Sequence, residues 1–119
     1  MKKKYFYVVV LGIMFLVLEG CLPNIRVTPP AAPSFLIAEA FSSGAVKLMW
    51  GDASNNEEGF KIERKEEDYG SWLQIATVGA NITEYTDQIY WIGTYYYRVK
   101  AYNSAGESDY SNMVKVTFY

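Results

Sequence analysis

From Phe35 to the end of the chain, apolar and polar residues alternate in short stretches, the two-residue period of strands whose side chains point in turn to opposite faces. The stretches are Phe35–Phe41, Ala45–Gly51, Gly59–Lys65, Ser71–Val78, Ile82–Thr86, Thr94–Tyr102 and Asn112–Phe118, seven in number. Turn formers separate them: Ser42-Ser43-Gly44, Asp52 to Glu58, Asp68-Tyr69-Gly70, Gly79-Ala80-Asn81 and Asn103 to Gly106. Short strands at this spacing predict an all-β sandwich of antiparallel sheets, and no apolar stripe of helical period competes with it. Val46, Leu48 and Trp50 share one face, as do Phe60 and Ile62, and as do Tyr95, Tyr97, Val99 and Ala101. With Leu36 they form the predicted core.

The first 33 residues follow a different pattern. Lys2, Lys3 and Lys4 precede an uncharged apolar run of 14 residues, Tyr5 to Leu18, and then Glu19-Gly20-Cys21. As a helix that run would span about 21 Å, short of the roughly 30 Å of a bilayer core, so residues 1–20 read as a secretory signal peptide. The basic end stays inside, and the chain beyond it is extracytoplasmic. Leu18-Glu19-Gly20-Cys21 resembles the lipobox of bacterial lipoproteins, although Glu19 stands where that pattern has a small or apolar residue. Cys21 is the only cysteine. The resemblance implies that Cys21 carries the lipid (palmitate among its acyl chains) and anchors the protein to a membrane, the outer one if the host has two. Residues 21–33 hold all four prolines and read as a tether, reaching about 35 Å if polyproline II. Residues 34–119 remain for the domain.

Composition narrows the function. A chain of 119 residues supports one domain of this kind. With no His and one Cys it has no Ser-His-Asp or Cys-His arrangement, no imidazole or thiolate metal cluster and no internal disulfide, so neither catalysis nor a metal or other cofactor is expected. Three of the eleven cations and one of the thirteen anions precede Cys21, leaving eight against twelve, net −4. That balance argues against a nucleic-acid partner.

Pro33-x-x-Leu36-x-Ala38, Val46-x-Leu48-x-Trp50 and Gly59-Phe60-x-Ile62-x-Arg64, followed by Gly93-Thr94-Tyr95-x-Tyr97-Arg98-Val99-x-Ala101-x-Asn103-x-x-Gly106-x-Ser108, resemble the run of a fibronectin type III domain, with Ser111, Val114 and Val116 fitting its last strand. The resemblance covers 33–118. It implies a seven-stranded immunoglobulin-like sandwich in which Tyr95 is the tyrosine corner, its hydroxyl bonding upstream backbone, and Trp50 is the core tryptophan. Tyr97 stands where an antibody-like domain has its second Cys, so packing replaces the disulfide.

Asp52-Ala53-Ser54-Asn55-Asn56-Glu57-Glu58 has oxygens of the kind that bind calcium, but its spacing is not that of a calcium loop, and it reads as a solvated turn. Glu63, Glu66, Glu67 and Asp68 would need a cleft to hydrolyse glycosides, and Asn81-Ile82-Thr83 is a sequon that reads as a turn. Aromatic residues off the inward pattern are more suggestive: Tyr69, Trp72, Tyr90, Trp91, Tyr96, Tyr102 and Tyr110 fall on exteriors or loops. The expected binding residues are Trp72, Trp91, Tyr96, Arg98 and Tyr102, on an outer face shared with Lys61, Glu63, Lys65 and Lys100. The competing reading is that Arg98 and Lys100 pair with Glu63 across the strands and the face is structural. The expected function is a membrane-anchored, non-catalytic module that contacts an envelope or surface protein; the alternatives are a carbohydrate-binding accessory, with a glycan as partner, and a spacer without a ligand.

Overall fold

The computed structural model describes residues 26–119, and before them only the backbone of β1 (Tyr5–Val10) and β2 (Ile13–Leu18), which pair antiparallel with each other. The expected leader's side chains, Glu19-Gly20-Cys21 of the lipobox-like run and the start of the tether lie outside the described residues. Among those described, no helix is long and apolar enough to cross a membrane.

Two antiparallel sheets make the domain. One has the order β3 (Ser34–Ala40), β4 (Ala45–Gly51), β7 (Glu84–Gln88); the other runs β10 (Val114–Phe118), β8 (Gly93–Asn103), β5 (Gly59–Glu66), β6 (Leu73–Gly79), with β9 (Gly106–Glu107) added to β8. The sandwich thus has eight strands where the alternation predicts seven. The extra one, β9, is two residues long, pairs with Tyr102 and Asn103, and depends on Gly106 at a φ of 144°, a conformation side chains rarely adopt. β7 begins two residues later than predicted because Asn81 takes a left-handed φ of 63° and Ile82 N–H closes a turn on the Gly79 carbonyl.

The core between the sheets is Leu36, Val46, Leu48, Trp50, Phe60, Ile62, Tyr95, Tyr97, Val99 and Ala101, joined by Ile89 and Val116. Trp50 meets Phe60 edge-on at 5.6 Å between ring centroids, and Tyr95 meets Phe118 at 6.3 Å. The Trp50 indole N–H has no partner among the described residues, unlike the Tyr95 hydroxyl, which donates to the Trp91 carbonyl at 2.9 Å. Gly59 lets β5 come close to its neighbour, since a Cβ there would lie 2.2 Å from the Val78 carbonyl oxygen.

Packing alone does not replace a disulfide. Asp87 of β7 reaches across the sandwich, and its Oδ2 accepts from Tyr97 Oη at 2.8 Å and from Arg64 Nη1 at 2.5 Å. Burial, reinforced by the Asp87 carboxylate, pushes the Tyr97 phenol far above its ordinary value, so it remains a donor. Burial alone would lower the Arg64 guanidinium, but Asp87 outweighs it and the group is raised.

The proline-rich segment enters from one end. The Thr28 carbonyl accepts from Asn103 Nδ2 at 2.8 Å and Asn56 Nδ2 at 3.0 Å, and Pro30 and Pro33 are buried. Residues 28–33 therefore lie against the domain. Six residues, Leu22 to Val27, separate Cys21 from Thr28.

Asp87→Ala strands Arg64 and should lower stability by about 3–5 kcal/mol, whereas Tyr97→Phe should cost about 1–3 kcal/mol. Denaturant midpoints of the two variants check this ranking; equal midpoints would mean that the charge is not held inside the sandwich.

Candidate functional site

Strand β8 alternates Tyr95, Tyr97, Val99 and Ala101 inward with Tyr96, Arg98, Lys100 and Tyr102 outward, and its register sets Lys65 opposite Tyr96, Glu63 opposite Arg98 and Lys61 opposite Lys100. This brings most of the expected binding residues onto one sheet face, where they bond to one another. Glu63 accepts from Arg98 Nη2 at 2.8 Å, Arg98 Nε at 3.1 Å and Tyr110 Oη at 3.0 Å, with Lys100 Nζ at 3.4 Å. The Arg98 guanidinium lies between two rings, 4.1 Å from the Trp72 centroid and 3.6 Å from that of Tyr110. Lys65 stands 5.1 Å over Trp72 and 4.9 Å over Tyr96, and Lys61 lies 5.0 Å over Tyr102 while bonding Glu107.

Tyr96, expected to be exposed, is 8% accessible. The ammonium stem of Lys65 covers its ring and Asp68 in the β5–β6 turn accepts its hydroxyl, two contacts that strand alternation alone does not reveal. Trp72, Arg98 and Tyr102 are half-buried, and Trp72 precedes β6 although it was predicted inside that strand. The competing reading of this face, charge pairing across the strands, describes the observed contacts.

Burial pushes the Glu63 carboxyl upward, but hydrogen bonds from Arg98 and Tyr110 outweigh it and hold the group below its usual range. Glu107 is likewise lowered by Lys100 and Lys61, and Lys100 is raised by its bond to Glu107. A carboxylate with a lowered folded value contributes stability that is fully present above its unfolded value and is lost as pH falls through the folded one. The lattice should therefore loosen below about pH 4.5. Glu63→Gln should flatten that acid limb of the stability curve, measured as denaturant midpoint against pH. An unchanged limb would show that the lattice carries no linkage.

The acidic Asp52–Glu58 loop also closes on itself. Glu57, predicted to be solvated, is buried; its Oε2 accepts from Ser54 Oγ at 2.8 Å and its Oε1 from the Asn81 N–H at 3.2 Å. Ser54 N–H donates to Asp52 at 3.1 Å and Ser104 N–H to Glu58 at 3.1 Å.

At the opposite end of β8 the side chains are free instead. The β7–β8 loop, Ile89–Ile92, has its backbone fixed at several points: Ile89 is buried, its N–H donates to the Gly44 carbonyl at 2.8 Å, and the Trp91 carbonyl accepts from Tyr95 Oη. Just beyond it, Thr94 N–H donates to Glu67 Oε1 at 3.0 Å. Gly44, at a φ of 88°, is required here because a Cβ would lie 2.2 Å from the Ile89 carbonyl oxygen. On this rigid loop Tyr90, Trp91 and Ile92 are 80%, 79% and 77% exposed. Trp91 was an expected binding residue, and Tyr90 and Ile92 complete a triplet that was not. Three consecutive bulky residues outside the alternation are its only sequence signal. The depression beside them, lined by Ser42, Ser43 and Tyr119 among others, holds about 230 Å³. That is smaller than the roughly 300–1,000 Å³ of small-molecule sites, so the surface suits a broad contact.

No protein-family model and no curated protein sequence matches this chain. Solved structures do. An Fn3-like protein from Clostridium thermocellum is 29% identical with a TM-score of 0.63, over 77% of this chain and 96% of that one. An FN3 domain of human collagen XX is 15% identical with a TM-score of 0.64, over 82% of this chain and 100% of that one. The twitchin kinase region from C. elegans is 27% identical with a TM-score of 0.65, over 76% of this chain and 17% of that one. The chain spans a third or less of the titin and twitchin structures it resembles. Its fold is the immunoglobulin-like sandwich of fibronectin type III domains.

Proposed function

We propose that this protein is a non-catalytic interaction module, anchored by a lipid on Cys21 to the extracytoplasmic face of a bacterial membrane, that works by contacting another envelope protein through the β7–β8 loop. The observation that carries this reading is the pairing of a fixed backbone with free side chains at Tyr90, Trp91 and Ile92. A loop already ordered before contact loses little conformational entropy on binding, and aromatic residues supply most of the energy of protein interfaces. The sheet face carrying Tyr96 and Arg98 supports the fold in this reading, since its charges and rings are matched internally.

Two outcomes test the reading. Trp91→Ala in the full chain should leave the denaturant midpoint within about 0.5 kcal/mol of the parent, as for an exposed site, while abolishing capture of envelope proteins. Undiminished capture would move the contact elsewhere. Mass spectrometry of the membrane-extracted protein should find acyl chains on an N-terminal Cys21; a mature form beginning at any other residue would overturn the anchor.

A further inference from the structure

The loop proposed as the contact site has a neighbour of one charge. The turn from Glu66 to Gly70 lies beside it, tied by the Glu67–Thr94 bonds, with Glu67 N–H donating to the Thr94 carbonyl at 2.7 Å as well. It carries Glu66, Glu67 and Asp68 in sequence, followed by Tyr69, which is 90% exposed. Glu67 and Asp68 each accept from a neutral donor, the Thr94 N–H and the Tyr96 hydroxyl, which leaves their negative charge in place. No Lys or Arg occurs in residues 41–44, 66–71 or 88–94. Among the described residues the ion pairs are Lys47–Glu84, Lys61–Glu107, Arg64–Asp87, Arg98–Glu63, Lys100–Glu63 and Lys100–Glu107. None reaches the turn.

We propose that this end of the domain binds a basic segment of a partner protein, whose Lys or Arg side chains pair with Glu66, Glu67 and Asp68 and lie over Tyr69, Tyr90 and Trp91 while its apolar residues cover Ile92. The inference rests on the β7–β8 loop being the contact surface and adds the chemistry of what it contacts. Glu66, Glu67 and Asp68 lie outside all of these ion pairs, Arg64 sharing a depression with Glu66 while its guanidinium is bound to Asp87, and with the exposed rings beside them, whose faces attract cations, they form one electrostatic surface. The same protein shows how such a set holds a guanidinium: Arg98 sits between Trp72 and Tyr110 with Glu63 as its acceptor. A second copy would bring the same negative charge to the contact, and an anionic bilayer would repel it, so both are disfavoured occupants.

The test places p-benzoylphenylalanine at position 92, or in a second protein at position 69, of the full-length membrane-borne chain, and sequences whatever is cross-linked on irradiation. The expected adduct is a protein segment rich in Lys and Arg, with its yield cut about tenfold by Glu66→Lys and about as strongly by raising salt from ~0.05 to ~0.5 M. Glu66 is exposed and, among the described residues, its side chain makes no ion pair or hydrogen bond; it acts on Arg64 only at a distance, so the variant should keep close to the parent denaturant midpoint. An adduct on a neutral or acidic segment, a glycan or a lipid overturns the basic partner while leaving the loop as a contact surface. A yield indifferent to Glu66→Lys and to salt does the same. No adduct from either position overturns the contact surface itself.

Discussion

One carboxylate couples the two halves of this sandwich. Asp87 belongs to the three-stranded sheet, but both its donors, Arg64 and Tyr97, project from the other one. Apolar packing is tolerant of sliding, because one aliphatic contact can be exchanged for another at small cost. A two-donor bond to a single oxygen is not, since a shift of one residue would leave a buried charge and a buried phenol unmatched. With the sheets held in one relation, Tyr95, two residues from Tyr97 on the same face, is aimed at the Trp91 carbonyl. The fixed shape of the β7–β8 loop thus descends from a bond inside the domain.

The outer sheet face shows the opposite use of charge. Cations on neighbouring strands would repel if each faced solvent alone, as Lys61 and Lys100 do by register. Glu107, placed on the added strand β9, bonds both, while Glu63 takes Arg98 and approaches Lys100. The rings of Trp72, Tyr102 and Tyr110 then cover the cations' flanks. A face so satisfied has little to gain from a partner, because binding would exchange good contacts for similar ones. Composition alone makes this surface attractive as a site, and its geometry explains why the loop end is the better one.

What could be read from the residues follows from the range of the forces involved. Alternation is a property of one strand, so the inward set of β8 and the positions of Trp50, Phe60 and Ile62 are legible, whereas the tyrosine corner rests on the resemblance to the fibronectin type III run. The burial of Tyr96 is not legible in this way, because its cover comes from Lys65, 31 positions earlier, and from a turn that accepts its hydroxyl. Asp87 fell just past a predicted strand end, and nothing local distinguishes a carboxylate bound across a sandwich from one in water. Glu57 and Asn103 are similar: each is a turn-forming or acidic residue by type and a buried hydrogen-bond hub by position. Polar residues that hold a fold through distant partners leave no periodic trace.

The clamp on Thr28 gives the two ends of the domain different work. Asn103 closes the last position of β8, and its amide holds the incoming chain, while Gly93 opens that strand beside the exposed triplet. They are ten steps of strand apart, about 33 Å at roughly 3.3 Å per residue. Under the proposed anchorage, the six residues between Cys21 and Thr28 would allow the near end a standoff of about 19 Å if they formed polyproline II, half of what the whole proline-rich stretch would permit. That anchor would keep the near end close to the bilayer, and its polar groups are engaged by Thr28 and by the Asp52–Glu58 loop. The far end has carboxylates outside the ion pairs and uncovered rings, and under the same anchorage it is the end that the length of the sandwich would carry away from the membrane.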